Sequence, residues 1–361
     1  MRTDLLTTAA FAALLLTPIA AAAQSSGYAS APFREHPVEV AQGAALERID
    51  VAARALALKG AEEDAEDEDS DAADSGEAGD GEDEEEEEGG PLDDFGLLRA
   101  SLAAASPELE QRLGAAIAEL LEAAEDGKDL GAPSEEVVGL TQEARGKLLP
   151  PTVADAPGFR AALMASLLLD EGGVAEGFEE ASEGEASAYT LGYVALQRVK
   201  ALWEGLSGQA SPQQAADVAA MFVLLDALFP TAEMPEQISP DPEQAEAPAQ
   251  QLVALLEGVA DAELYLGRDL AAAMTVVNDV AAQGCAALAA GQAGLGVEKL
   301  RIAAAYYDQT VVDTLGMIAP DTAAVIAEAL EEVDEGEADE LAEACGPLLQ
   351  GLAAGRTALT P

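Results

Sequence analysis

The chain contains almost no histidine or cysteine. It has one histidine, His36, and two cysteines, Cys285 and Cys345, among 361 residues. Zinc sites normally use several His or Cys ligands, and a Ser–His–Asp triad would depend on His36 in a stretch flanked by prolines. The sequence therefore predicts no metal site, no cofactor and no catalytic residues, and His36 is interpreted as an exposed residue.

Basic residues are also scarce. The chain has 17 Lys and Arg against 69 Asp and Glu, which gives a formal net charge of −52. A negative potential of this size repels nucleic acid and anionic lipid surfaces, and it attracts basic proteins and divalent cations. No nucleic-acid binding is expected, and the partner classes that the charge permits are basic proteins and cations.

Aromatic residues make up only 4% of the chain, with Trp203 as the one tryptophan. Polysaccharide clefts usually offer aromatic stacking surfaces, so a glycosidase receives little support, and acid pairs carry no information among so many carboxylates. Tyr193, Trp203, Tyr306 and Tyr307 either line a pocket or pack in the core with a hydroxyl at its rim.

One apolar run lies near the N-terminus. The run, at residues 5–16, follows Arg2 and precedes Pro18. It is shorter than the roughly 20 residues that a membrane span needs. Small residues at Ala21 and Ala23 complete the pattern of a signal peptide over 1–23, cleaved after Ala23. We expect a periplasmic or secreted protein without a membrane span; the alternative is an Ala-rich N-terminal helix.

Export bears on the two cysteines, because oxidising compartments favour disulfides. Cys285 and Cys345 are therefore predicted to pair, and the alternative is two separate buried thiols. Neither has the spacing of a metal ligand.

Negative charge is concentrated in residues 61–94, which hold 20 Asp or Glu and no Lys or Arg. This stretch lacks β-branched residues and is predicted to be a disordered, self-repelling linker. A partial match to a calcium loop begins at Asp67, but Ala72 and Ala78 replace its Gly and bidentate Glu. Weak condensation of divalent cations is expected here rather than a specific calcium site.

Alanine and leucine dominate the remainder, and both are good helix formers. No convincing alternating strand pattern occurs, so the fold class is predicted to be all-α, a helical bundle or array with close crossings at small residues. Residues 24–60 are an N-terminal tail with an amphipathic helix over 42–59. The apolar stripe of this helix needs cover, either from the main body or from another protein.

Two helical blocks are predicted, over 95–229 and 250–361, joined by a Pro-rich connector at 230–249. Helix starts are recognisable from their caps; Ser211, for example, precedes Pro212 and Gln214 in a capping-box pattern. Glycines such as Gly127 and Gly172 mark helix ends.

Three functions are compatible with these observations. The first is a non-enzymatic interaction or scaffold protein that recruits basic partners or divalent cations, suggested by the acidic segment, the separate amphipathic helix and the lack of a catalytic constellation. The second is a helical protein that binds a small apolar ligand between its helices. The third is a hydrolase that uses only carboxylates and tyrosine.

Overall fold

The computed structural model describes residues 28–67, 91–335 and 338–360. Within these ranges the protein is all-α, which confirms the predicted fold class, and the one β-type contact is an isolated bridge between Ser30 and Ala262. The predicted signal peptide and residues 68–90 of the predicted acidic linker lie outside the described residues.

The helices up to residue 154 come before and after residues 68–90, the part of the acidic segment (residues 61–94) that lies outside the described residues. They are α1 (Pro32–Glu35), α2 (Pro37–Asp67), α3 (Pro91–Gly96), α4 (Arg99–Ala105), α5 (Pro107–Glu125), α6 (Gly131–Leu148) and α7 (Pro151–Ala154).

The remaining helices continue to the C-terminus. They are α8 (Pro157–Leu169), α9 (Val174–Glu183), α10 (Ala186–Glu204), α11 (Pro212–Leu228), α12 (Glu243–Ala260), α13 (Leu270–Ala289), α14 (Ala293–Thr310), α15 (Val312–Ile318), α16 (Pro320–Glu335) and α17 (Ala338–Leu359).

Local sequence signals explain several helix ends. At the start of α11 the Ser211 hydroxyl accepts a hydrogen bond from the backbone N–H of Gln214, and the Gln214 side chain accepts one from the Ser211 N–H. This reciprocal pair is the predicted capping box, which satisfies two N–H groups that the helix cannot. Gly127 and Gly172 follow helix ends with φ of 61° and 69°, a left-handed conformation that glycine adopts without strain.

The helices pack around three hydrophobic cores. The first core lies mainly between α8, α9, α10, α11 and α12, the second between α13, α14, α15, α16 and α17, and the third between α3, α4, α5 and α6. Helix α2 contributes to all three and therefore lies at the centre of the fold. Its buried apolar residues are Val40, Ala44, Val51 and Ala55 in the first core and Ala45, Leu46, Ile49 and Ala53 in the third, with the half-buried Val38 and Ala41 against the second.

The central position of α2 changes the interpretation of the N-terminal helix. The sequence placed it over 42–59, as a separate element with one apolar stripe, whereas the helix spans Pro37–Asp67 and is buried on several sides. The sequence left open whether the main body or another protein covers the apolar stripe, and in the structure the main body covers it. The helix consequently gives no support to an interaction with another protein.

The junction between the predicted blocks also differs from expectation. Helix α12 begins at Glu243, inside the stretch predicted to be a connector, and it packs on α8 and α11 in the first core. Pro248 lies in its second turn, where it removes one backbone hydrogen bond. Burial of Leu252 and Leu256 on the same helix compensates for the lost hydrogen bond. The sequence around Pro248 does not indicate this burial. The change from the first core to the second falls near Leu266.

Small residues allow close helix crossings, as the composition suggested. At the α9–α10 crossing, a Cβ atom on Gly177 would lie 2.7 Å from the Ala188 carbonyl oxygen and 2.9 Å from the Cα of Gly192. No side chain fits at those distances, so glycine at position 177 sets the separation of the two helices.

Helix α13 is the one helix of the described residues that is long and apolar enough to cross a membrane. It is packed against α14 and α17, and Met274, Val277 and Val280 are fully buried in the second core. Of its most apolar window 39% is buried, so the second core covers one side of this helix.

Candidate functional site

Three features of the described residues are candidates for function: a small cleft beside α2, buried carboxylates on or near α2, and an exposed apolar helix face. The central cleft lies where α2, α8 and α14 meet. It is lined by Phe33, Val40, Ala41, Ala44, Arg48, Leu97, Ser166, Asp170, Ile302, Ala305, Tyr306 and Gln309.

Charged and hydroxyl groups are concentrated on one wall of the central cleft. The Ser166 hydroxyl donates a hydrogen bond to Asp170 Oδ2 at 2.5 Å. Burial raises the pKa of Asp170 above its usual value, while the Ser166 hydrogen bond and the charge of Arg48 act in the opposite direction. Arg48 itself is bound by Asp94, with Nη2 2.6 Å from Oδ1. The polar groups of this wall are therefore bound to one another within the chain.

Tyr306 closes the opposite side of the central cleft. Its hydroxyl donates to the Pro37 carbonyl oxygen at 2.7 Å, and its ring meets Phe33 edge-on. Burial raises the pKa of Tyr306, so the phenol stays protonated at neutral pH. The hydroxyl joins α14 to the start of α2 and is already engaged.

The size of the central cleft limits its chemistry. Its volume is about 40 Å³, which is room for one or two water molecules. Sites for small organic ligands are typically about 300–1,000 Å³. The cleft suits a hydrated polar contact between helices better than a substrate.

Buried carboxylates form the second feature. Glu47 on α2 is fully buried and is bound by two arginines, Arg145 Nη2 at 2.7 Å and Arg198 Nε at 2.5 Å. These contacts join α2 to α6 and α10, and they compensate the charge that burial would otherwise disfavour.

Glu298 on α14 is a second buried acid, held mainly by neutral donors. It accepts hydrogen bonds from Gln42 Nε2 at 3.0 Å, from the Ser101 backbone N–H at 2.8 Å and from the Ser101 hydroxyl. Burial raises its pKa, and the hydrogen bonds partly oppose that change. The contacts connect α2, α4 and α14, which is a structural role.

The third feature is the outward side of α11, which we call the α11 outer face. It consists of Ala216, Ala219, Ala220, Val223, Leu224 and Ala227, all exposed. The two largest side chains, Val223 and Leu224, are 67% and 51% exposed. The opposite side of α11 packs into the first core through Val218, Phe222 and Leu225. A helix apolar on both sides thus has one side without cover from the described part of this chain.

The four aromatic residues singled out from sequence do not form a common pocket. Tyr193 and Trp203 are half-buried against the first core, whereas Tyr306 and Tyr307 are buried in the second. Among them, Tyr306 alone lines the central cleft. The other three have the surroundings of core residues.

Cys285 on α13 and Cys345 on α17 form a disulfide, with Cα atoms 5.7 Å apart and a sequence separation of 60. The bond joins two helices of the second core. Within the described residues no group of three or more His, Cys, Asp or Glu side chains is arranged to hold a metal ion.

Sequence reasoning did not identify the α11 outer face or the buried charges. A signal for the former was present: residues 218–225 contain too many apolar side chains for a helix with one buried side. Buried charges such as Glu47 had no such signal, because the identity of the arginines that approach them depends on how distant helices pack. In comparisons with known proteins, no protein family, no curated protein and no solved structure matches the chain.

Proposed function

We propose that the chain is an exported, non-enzymatic interaction protein that recruits basic protein partners. The observation that supports this most directly is that most of its Lys and Arg side chains are paired with acids of the same chain. At least ten of the 17 Lys and Arg side chains form ion pairs with Asp or Glu of the same chain. The 69 acids outnumber the 17 Lys and Arg about four to one, so pairing within the chain leaves a large excess of negative charge.

The excess charge acts over distance. A surface of one sign accelerates encounters with partners of opposite sign, and the attraction weakens as salt rises. Residues 61–94 contribute 20 of the acids in one continuous stretch that runs from the last turns of α2 to the first turn of α3. A basic partner is therefore expected to meet this segment first.

The two alternative functions have weaker support. A binder of small apolar ligands needs a pocket several times larger than the central cleft, and the larger groove of about 570 Å³ between α5 and the start of α6 is open and lined by charged residues such as Glu119, Glu122 and Lys128. A carboxylate hydrolase needs acids that face a substrate, whereas the buried acids Glu47 and Glu298 are engaged in contacts between helices. Cation recruitment in this proposal is condensation on the acidic segment rather than binding at a shaped site.

Export is part of the proposal and rests on the pattern of residues 1–23. The disulfide between Cys285 and Cys345 is compatible with it, since such bonds persist in oxidising compartments. Mass spectrometry of the protein recovered from its native cell envelope and medium tests this part. A mature N-terminus at Gln24 is expected, and an intact Met1 in the cytosolic fraction would contradict export.

The recruitment proposal is tested by capture from an envelope extract on immobilised mature protein, at low and high salt. The matched control replaces residues 68–90 by a Gly/Ser linker of equal length, which keeps α2 and α3 tethered. We expect the captured proteins to be enriched in basic sequences, to decrease with the neutral linker and to be released by salt. A captured set with ordinary charge that resists salt would contradict recruitment by charge.

A further inference from the structure

The α11 outer face is a continuous apolar sector. Its residues recur at 216, 219, 220, 223, 224 and 227, the spacing of neighbours on one side of an α-helix. No charged residue interrupts it, and Asp217 and Asp226 lie on its two edges. An uninterrupted apolar helix side on a protein surface typically marks an interaction site.

The shape of this face suits another helix. Along the helix, alanines lie before and after the larger Val223 and Leu224, so most of the side chains on this face are short. Short side chains allow two helix axes to approach to the lower end of the usual 8–10 Å range. The inner side of α11 is anchored in the first core, and the Ser211 capping box orders its start. The face is therefore presented on a rigid element.

Charge selects the kind of helix that fits. Asp217 and Asp226 border the apolar sector, and one of the two, Asp226, is paired with Lys200 of α10. A second copy of this chain would place the same acids against each other, on top of a net charge of −52 per chain. A helix with lysine or arginine beside its apolar stripe would instead meet Asp217 at one edge, while at the other edge Asp226 is already paired with Lys200.

We propose that the α11 outer face binds an amphipathic helix of a basic protein partner. The apolar stripe of that helix covers Val223 and Leu224, and a basic residue at its flank reaches Asp217. This inference rests on the proposed recruitment of basic proteins and adds the surface at which recruitment becomes specific docking. The acidic segment attracts the partner, and α11 binds it.

The test uses a synthetic helical peptide with a Leu/Ala stripe flanked by lysines, and a peptide of identical composition whose order is scrambled to remove the stripe. Affinities for the mature protein are measured by calorimetry at low and high salt. The informative variant is Val223→Glu/Leu224→Glu, because it adds negative charge while removing the apolar centre. The control is Ala115→Glu/Ala118→Glu, which adds the same charge to an exposed part of α5.

Docking predicts that the striped peptide binds wild type and the α5 control, and that binding to the α11 variant weakens by on the order of tenfold or more. Binding to the α11 variant that is unchanged or tighter would overturn docking at α11 while leaving recruitment by charge intact, as would equal binding of the scrambled peptide. Failure of both peptides to bind any form at low salt would overturn docking and recruitment together. Circular dichroism confirms that each variant is folded.

Sedimentation velocity tests whether a second copy of the chain, rather than a basic partner, occupies the α11 outer face. If wild type dimerises at the concentrations used and Val223→Glu/Leu224→Glu is a monomer, the face belongs to a second copy of the chain and the assignment to a basic partner is wrong. A monomeric wild type, together with the peptide result above, supports the assignment.

Discussion

Helices α2 and α11 depart from the ordinary surface helix in opposite ways. Helix α2 is buried on several sides yet carries Gln42, Glu47, Arg48 and Asp50. Helix α11 lies at the surface, yet its outward side carries no charge. In neither helix does the usual division between an apolar inner side and a polar outer side hold.

The difference lies in where the unusual side finds its partners. The polar groups of α2 are bound within the chain: Glu47 by two arginines, Arg48 by Asp94 and Gln42 by Glu298. They specify which helices surround α2. No part of the described residues covers the α11 outer face. This face therefore indicates binding rather than a role in the fold. Buried charge here indicates architecture, and exposed apolar surface indicates interaction.

The largest effect is expected from removing the charge at the centre of α2. Glu47→Ala leaves Arg145 and Arg198 partly buried without their shared carboxylate, and breaking a buried pair in this way costs about 3–5 kcal/mol. Urea unfolding should show that loss, while Glu136→Ala on the exposed side of α6 should change stability by less than about 0.5 kcal/mol. Equal, small effects of the two substitutions would mean that α2 is not organised by its charges.

A smaller effect is expected from a single methyl group. A Cβ on Gly43 of α2 would lie 2.9 Å from Phe159 Cζ and 3.0 Å from Leu163 Cδ2, whereas one on Gly139 of α6 meets nothing within 4 Å. Gly43→Ala overpacks the core at a cost of about 1–3 kcal/mol, which offsets or exceeds its gain in helix propensity. Gly139→Ala keeps that gain and should raise stability by up to about 1 kcal/mol. The same rise from both would show that α2 has free space around it.

The buried contact between Gln42 and Glu298 is expected to give a modest pH effect. Because burial raises the pKa of Glu298 from its ordinary 4.5, the folded state binds more protons than the unfolded state. The contribution of this group is therefore fully present below its unfolded pKa and is lost as pH rises through the raised folded pKa. Glu298→Gln removes the titrating group. The unfolding free energy of this variant minus that of wild type should therefore increase between the unfolded and the folded pKa of Glu298 and then level off. A difference that is constant with pH would contradict the raised pKa.

The smallest effect on stability is expected at α11. Val223→Glu/Leu224→Glu changes side chains that are already in water, so the unfolding free energy should stay within about 1 kcal/mol of wild type. Thermal and urea unfolding check this independently of any peptide. A loss comparable to that of Glu47→Ala would show that α11 is covered by the protein itself and that its face is not available for docking.

Local features of the chain were predictable because they depend on neighbours in sequence. The all-α class follows from Ala- and Leu-rich segments without alternation. The capping box at Ser211 and the left-handed glycines Gly127 and Gly172 depend on four or five consecutive residues.

Predictions failed where distant contacts decide. Pro248 suggested a connector, yet it lies inside α12 because burial of Leu252 and Leu256 outweighs one missing backbone hydrogen bond. Asp94 was assigned to the acidic linker, yet Arg48 binds it at 2.6 Å and the residue is buried. Neither the burial of Leu252 and Leu256 nor the pairing of Arg48 with Asp94 can be inferred from spacing along the chain.

The sequence by itself determined the class of fold, the strong negative charge and the positions of many helix ends, since composition and short-range hydrogen bonding govern these. Tertiary structure alone decided that α2 is the central helix, that Glu47 and Glu298 are contacts between helices, and that one apolar side of α11 stays exposed. The physical reason is that burial belongs to pairs of surfaces. An apolar residue on a helix is core or interface according to what another part of the chain brings against it.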